Sequence, residues 1–305
     1  MHDDLLAACL CIYTTQVTFL KCGGVVLGTS LHHVVIDGVG AFHFMQTWTG
    51  LARDLSVSEA CPSPPSHDRT PLRERSPPHA DSDHQVYLPG DPNRGPVATR
   101  VYSVSPKLLA DLKSRCAPGV STYGAVTAHL WRCICVARGL PPSSDTRLLG
   151  PVNFRHRLQP PLPPKFSGNA IVRTLVSMKV GDVLANKPPG KIVADVIKKG
   201  AEQVDDAYVR SVIDHLEIER EKAGEWPRGM RMTESDLWVV SWLGMPMYDA
   251  DFGWGLPRLI FPAEMLFSGM ALVTQRVDRD DGINVLLALE PENLQRFEDT
   301  FYGEY

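Results

Sequence analysis

Residues 15–22 (Thr-Gln-Val-Thr-Phe-Leu-Lys-Cys) alternate in polarity with a period of two, the pattern of a strand with one covered face. Gly23-Gly24 supplies a tight turn and Val25 to Leu31 returns as a partner strand, so a hairpin is expected. The returning strand, expected to be buried, delivers His32 and His33 into a short apolar link that closes on Asp37-Gly38. Beyond it Phe42, Met45, Trp48, Leu51 and Leu55 recur at helical spacing and predict an amphipathic helix. A hairpin, a turn bearing histidine and aspartate, and a helix make up the first unit.

Periodicity fades over residues 61–96, where prolines cluster with Ser, Asp, Arg and His. This reads as an extended crossing linker, with His67, His79 and His84 as solvated loop histidines. A second domain is expected over 97–305. Arg100 to Val104 predicts a strand, and Pro106 to Cys116 a helix with proline at its start. Ser121-Thr122 caps a helix from Tyr123 to Arg138, whose Val126, Leu130, Ile134 and Ala137 share one face. Strands follow at Arg147 to Asn153, Ala170 to Lys179 and Leu237 to Trp242, with one helical stretch over 190–220. A glycine-studded turn runs from Met247 to Gly255. The hairpin Met270 to Val277 and Ile283 to Leu289 then leads to a closing helix from Pro291. No repeat of fixed period is present.

Composition narrows the class. The 305 residues are 44% apolar and 22% charged, ordinary for a soluble globular protein with room for one large or two medium domains. A net charge of −4, a pI near 6.2 and no basic cluster argue against nucleic acid or an anionic membrane surface as partner. Met1 to Leu20 lacks a basic stretch followed by an apolar block, and no long apolar run occurs. Neither a signal peptide nor a membrane span is expected, and the location is expected to be cytoplasmic. The seven cysteines include the C-x-C pairs Cys9/Cys11 and Cys133/Cys135 but no C-x-x-C, so reduced thiols are expected and no zinc module.

The segment His33-Val34-Val35-Ile36-Asp37-Gly38 carries the first candidate chemistry. An imidazole at a strand end, with a carboxylate four residues on, can hold a general base at the lip of a cleft. The plain alternative for His33 is a core histidine bonded to the backbone. A metal site built on His32, His33 and Asp37 is disfavoured, because successive strand residues point to opposite faces. Asp251-Phe252-Gly253 evokes a kinase magnesium loop, but no glycine-rich loop, V-A-I-K strand or H-R-D loop accompanies it. Neither a G-x-S-x-G elbow nor a Walker loop occurs.

The two strings together are far more specific than either alone. H-x-x-x-D-G near one end, D-F-G-W-G far downstream and a Pro-rich crossing between α/β halves resemble the plant BAHD acyl-CoA-dependent acyltransferases. Gln16 to Gly24, Ser121-Thr122-Tyr123, His129-Leu130-Trp131-Arg132 and Tyr248 to Gly255 resemble the hydroxycinnamoyl-CoA:shikimate/quinate hydroxycinnamoyltransferase branch. The resemblance runs from residue 15 to the closing helix. It implies an α/β, two-domain, chloramphenicol-acetyltransferase-like fold with mixed β-sheets flanked by helices. Residues 1–60 would be the remainder of an incomplete first domain, 61–96 the crossover linker, and 97–305 the second domain with D-F-G-W-G.

The resemblance also implies roles. His33 takes a proton from an acceptor hydroxyl or amine, which attacks the thioester directly without an acyl-enzyme. Asp37 turns away and pairs with an arginine, Arg155 or else Arg157, fixing the loop. Asp251, Gly253, Trp254 and Gly255 form a remote structural turn, with the glycines for geometry and Trp254 for packing. Trp242 offers an indole N–H to the reacting carbonyl. Ser121 and Thr122 meet coenzyme A at a helix N-terminus or simply cap the helix, and Arg228 pairs with an acceptor carboxylate. No bound cofactor or metal is implied. Acyl-CoA is a co-substrate, the acceptor is a small molecule and the protein is a monomer. Where shikimate-type members resemble I-T-S-W-x-R-L-P, this chain has Val239-Val240-Ser241-Trp242-Leu243-Gly244-Met245-Pro246, and Y-F-G-N becomes Phe166-Ser167-Gly168-Asn169. Loss of a hydroxyl at Val240 and of a cation at Gly244 leaves a less polar alcohol, a polyamine or an arylamine as rival acceptors. A catalytically inactive remnant is the rival of another class.

Overall fold

The computed structural model describes residues 12–303 other than 83, 88–89, 91–94, 186–189, 225, 227–231 and 279. Two compact units interleave along the chain: 1–68, 162–170 and 245–263 in the smaller, and 69–161, 171–244 and 264–305 in the larger. The residues around D-F-G-W-G thus group with the N-terminal hairpin, whereas a division by contiguous sequence places them in the second domain.

In the larger unit the sheet strands are β3 (Ala98–Val104), β4 (Asp145–Asn153), β5 (Ile171–Lys179), β6 (Leu237–Ser241), β7 (Met270–Gln275) and β8 (Ile283–Leu289). They lie in the order β3-β8-β7-β6-β4-β5. β6 runs parallel to β4 and β7, and the other pairs are antiparallel, so the sheet is mixed. β7 and β8 are nearly continuous apolar runs, as strands covered on both faces must be. Helices α3 (Pro106–Ser114), α4 (Thr122–Ala137) and α8 (Leu294–Tyr302) contribute to one hydrophobic cluster with that sheet. α4 is almost wholly buried, and Trp131 within it is fully enclosed. The Trp131 indole donates to Thr146 Oγ1 at 2.8 Å, so its one polar atom is satisfied inside the core. The expected single helical stretch over 190–220 is two helices, α6 (Lys191–Glu202) and α7 (Asp206–Ala223), which follow the short α5 (Val180–Ala185). The break has a local cause. Asp205 leaves helical geometry and caps α7 by accepting from the Tyr208 N–H at 2.8 Å.

The Pro-rich segment from Arg69 to Tyr87 is fastened to α7. Asp214, 1% exposed, accepts from Arg75 N and Nε at 2.8 and 2.5 Å and from His79 N at 3.0 Å. Ser211 Oγ accepts from Asp81 N and stands 2.8 Å from His84 Nε2. His67 and His79 are exposed as expected, but His84 is buried. A loop histidine becomes internal here because long-range polar partners receive it.

The smaller unit begins with β1 (Tyr13–Phe19) and β2 (Val25–Leu31), paired from Tyr13↔Leu31 to Phe19↔Val25. Gly23 takes the left-handed conformation that the turn needs, at φ 86°. The sequence predicts a buried β2. Instead its residues are exposed apart from half-covered Leu27 and Leu31, because the two strands have no further sheet neighbour among the described residues. Helix α1 (Gly38–Ala52) and the one-turn α2 (Val57–Ala60) follow. No helix among the described residues is long and apolar enough to cross a membrane.

Candidate active site

β2 hands the chain to a tight turn at His32–Val35, closed by Val35 N–H donating to His32 O at 3.0 Å. The His32 ring contributes as well, accepting from Val34 N–H through Nδ1 at 3.3 Å. His33 stands on this turn with its side chain exposed. Four residues on, Asp37 has the opposite character at 2% exposed. It is the N-cap of α1: Oδ1 accepts from Gly40 N–H at 3.1 Å, while its own carbonyl accepts the first helical bond from Ala41. Its Oδ2 accepts from Ala170 N–H at 3.0 Å. Both oxygens are thus engaged by backbone donors of the smaller unit, and Asp37 acts as a structural tie.

The segment that supplies Ala170 also supplies a side chain that sequence reasoning passed over. Asn169 Nδ2 donates to the carbonyls of His33 at 2.7 Å and Val34 at 3.0 Å. In the sequence, Phe166 to Asn169 reads only as a departure from Y-F-G-N. No local pattern links Asn169 to a turn 136 residues earlier.

The D-F-G-W-G turn also belongs to this unit. Asp251 Oδ1 accepts from Gly253 N–H at 2.7 Å and Gly255 N–H at 3.0 Å. The Gly253 bond, then that from Gly255 and the charge of Arg53, hold the Asp251 carboxyl below its usual range against the opposing effect of burial. Gly253 and Gly255 have φ 95° and 103°, which side chains with a Cβ rarely adopt. The Trp254 ring stacks on that of Phe252 at 6.1 Å. The Phe252 ring meets Trp48 of α1 edge-on at 4.8 Å, whereas Trp254 is 77% exposed. Trp48 in turn contacts Tyr13 at 5.7 Å and Phe44 at 6.3 Å, so an aromatic cluster joins β1, α1 and the turn.

Ser121, Thr122, Arg155 and Trp242 lie in the larger unit. Ser121 caps α4 through Gly124 N–H at 3.0 Å, and Thr122 is the first residue of that helix. Arg155, 1% exposed, follows β4 and has its N–H bonded to Asn153 Oδ1 at 3.0 Å. Trp242 leaves β6 with its N–H on Val273 O at 2.8 Å and packs beside Met265, Leu272 and Leu286. Arg228 falls outside the described residues. Cys22, Cys61, Cys116, Cys133 and Cys135 are free thiols. Among the described residues no group of three or more His, Cys, Asp or Glu side chains could hold a metal ion.

An exposed imidazole on a braced turn, a buried carboxylate four residues on and an aspartate–glycine turn packed on the next helix is a specific arrangement. A model described as the Transferase family matches residues 7–303. The chain belongs to this family. It is the BAHD family whose motifs the sequence resembles. Among its relatives, the putrescine hydroxycinnamoyltransferase 1 of Oryza sativa subsp. japonica is 42% identical over 98% of this chain and 71% of its own length. A hydroxycinnamoyl-CoA:5-hydroxyanthranilate N-hydroxycinnamoyltransferase of Avena sativa is 33% identical over 92% of this chain and 66% of its own. The shikimate O-hydroxycinnamoyltransferase of Nicotiana tabacum is 32% identical over 94% and 68% respectively. Solved structures share the fold at lower identity. Vinorine synthase gives a TM-score of 0.67 at 20% identity over 93% of this chain and 64% of that one. TRI101 of F. sporotrichioides, solved with coenzyme A and T-2, gives 0.76 at 17% over 94% and 67%. The chain therefore spans about two thirds of the length of the proteins in this family that it matches.

Proposed function

We propose that the chain transfers an aromatic acyl group of the hydroxycinnamoyl class from a coenzyme A thioester to a nitrogen or oxygen of a small acceptor, with His33 as general base. The observation that carries the reading is the contrast within one motif: His33 exposed on a hydrogen-bonded turn, Asp37 internal and committed to backbone donors. His33 removes the acceptor's N–H or O–H proton as the heteroatom lone pair forms a bond to the thioester carbonyl carbon. The tetrahedral adduct then collapses, the C–S bond breaks, and the departing thiolate takes the proton held by the imidazolium. Base assistance of this kind contributes about 10²–10⁴-fold, and positioning of the two substrates supplies much of the rest. Trp242 is assigned to the reacting carbonyl, Ser121 and Thr122 to coenzyme A and Arg228 to an acceptor carboxylate. A monomer in the cytoplasm completes the reading.

An amine is the favoured acceptor. The rice relative, named for putrescine, is 42% identical, against 32% for the tobacco shikimate enzyme. Val240 and Gly244 also remove polar groups that a hydroxy acid could use. The test follows free thiol released from p-coumaroyl-CoA in the presence of putrescine, 5-hydroxyanthranilate or shikimate. Release with an amine, abolished in His33→Ala, is expected. A chain that unfolds cooperatively yet releases no thiol with any acceptor would be the inactive remnant, and an unaffected His33→Ala would remove the assigned base.

A further inference from the structure

We propose that Asn169 is a positioning residue for the general base: its amide grips the backbone under His33 and so fixes where the imidazole stands. This rests on the reading of His33 given above. A side-chain NH2 group has two donors, and Asn169 uses both, on the His33 carbonyl at 2.7 Å and the Val34 carbonyl at 3.0 Å. The reversed amide would set its oxygen against two carbonyl oxygens, so the chemistry permits one orientation. Asn169 Oδ1 is buried and meets no donor among the described residues. A buried acceptor without a partner is unfavourable, so an amide is a poor choice for filling this space. The property that the position uses is the pair of donors.

The neighbouring residue completes the grip. Ala170 N–H bonds Asp37 Oδ2 at 3.0 Å, so two consecutive residues hold both ends of the H-x-x-x-D segment. Asn169 holds the start, at the carbonyls of His33 and Val34, and Ala170 holds the end at Asp37. The histidine projects from between these ties with its ring exposed. A base held this way owes its location to backbone bonds, and a displacement of about 1 Å at a reacting group reduces turnover by about 10²-fold.

Three substitutions test the proposal: Asn169→Ala removes both donors, Asn169→Asp sets a carboxylate against two carbonyls, and Asn169→Ser retains one donor. Steady-state rates with p-coumaroyl-CoA and the amine acceptor would be measured beside amide hydrogen exchange of Val34 and Val35. The expected result for Asn169→Ala is a kcat lower by about 30–100-fold with KM for the thioester within about two-fold. Exchange of the two amides should accelerate about ten-fold or more as the turn loosens. Asn169→Asp should be worse and Asn169→Ser milder. If kcat and exchange both stay within about two-fold in folded variants, or if KM rises while kcat holds, the proposal is overturned. Should the parent chain prove inactive, the reading of His33 fails and exchange alone decides: acceleration upholds the clamp and unchanged exchange refutes it. If Asn169→Ala does not fold, the same readouts on Asn169→Ser decide.

Discussion

His33 and Asp37 sit four residues apart, yet their surroundings separate their contributions. The His33 side chain is exposed, so removing it takes little packing away. His33→Ala should lower kcat by about 10²–10⁴-fold and leave unfolding free energy within about 0.5 kcal/mol, measured by thiol release and urea titration. Asp37 is the reverse case. Its replacement by alanine removes a helix cap, about 0.5–2 kcal/mol, and strands the Ala170 N–H without its acceptor, about 1–3 kcal/mol more. Asp37→Ala should therefore destabilise by about 1.5–5 kcal/mol, and activity should fall through loss of fold; equal stability of the variant would contradict the tie. The imidazole was legible in the sequence because a histidine before an Asp-Gly turn is a local pattern. Asn169 was not, because its two acceptors are backbone atoms far away along the chain and carry no side-chain signature.

Elements show the same division between local and distant causes. β8 matches its expected span of Ile283–Leu289 because a continuous apolar run bounded by polar turns has few other solutions. The Pro-rich segment was less legible, since what fastens it, Asp214 receiving Arg75 and His79, comes from a helix more than 130 residues later. The D-F-G-W-G turn announced its glycines but not that Phe252 would be the ring that meets Trp48. Phe252→Ala, which removes the ring against Trp48, should destabilise by about 1–3 kcal/mol, and Trp254→Ala, removing an exposed ring, by less than about 0.5 kcal/mol. Near the end of β8, burial would raise the Glu290 carboxyl. Hydrogen bonds from Arg138 and Ser268, the Arg138 charge and Asn293 outweigh it and hold the group at about 2. A depressed carboxylate stabilises the fold above its unfolded value near 4.3 and loses that contribution as pH falls toward the folded value. Glu290→Gln should thus lower stability by about 2–3 kcal/mol at pH 7, with the difference from the parent shrinking between about pH 4.5 and 2. A difference that holds constant through acid would show that the charge is not what stabilises.

At the scale of the molecule, the two units differ in how much apolar surface each encloses. The larger has a mixed sheet whose β7 and β8 are buried nearly end to end beneath fully enclosed Trp131, Phe297 and Phe301. The smaller rests on an aromatic cluster and a hairpin whose Val17, Phe19, Val25 and Val26 remain exposed. A two-stranded ribbon without a covered face is marginal in water, and local opening follows the number of buried apolar contacts. Peptides from 13–31 should therefore exchange amide hydrogens with far less protection than peptides from 270–289, measured by mass spectrometry. Because His33 and Asp37 stand in the less enclosed unit, activity carries the consequence. In a urea titration thiol release should disappear before the far-ultraviolet signal, which the larger unit dominates. The separation has a physical basis in the ladder: each β1–β2 bond lies near solvent, while the β7–β8 bonds are shielded by side chains on both faces. Coincident midpoints, with equal protection of the two hairpins, would mean that the units unfold as one cooperative block and that the exposed strands gain stability from contacts beyond their own pairing.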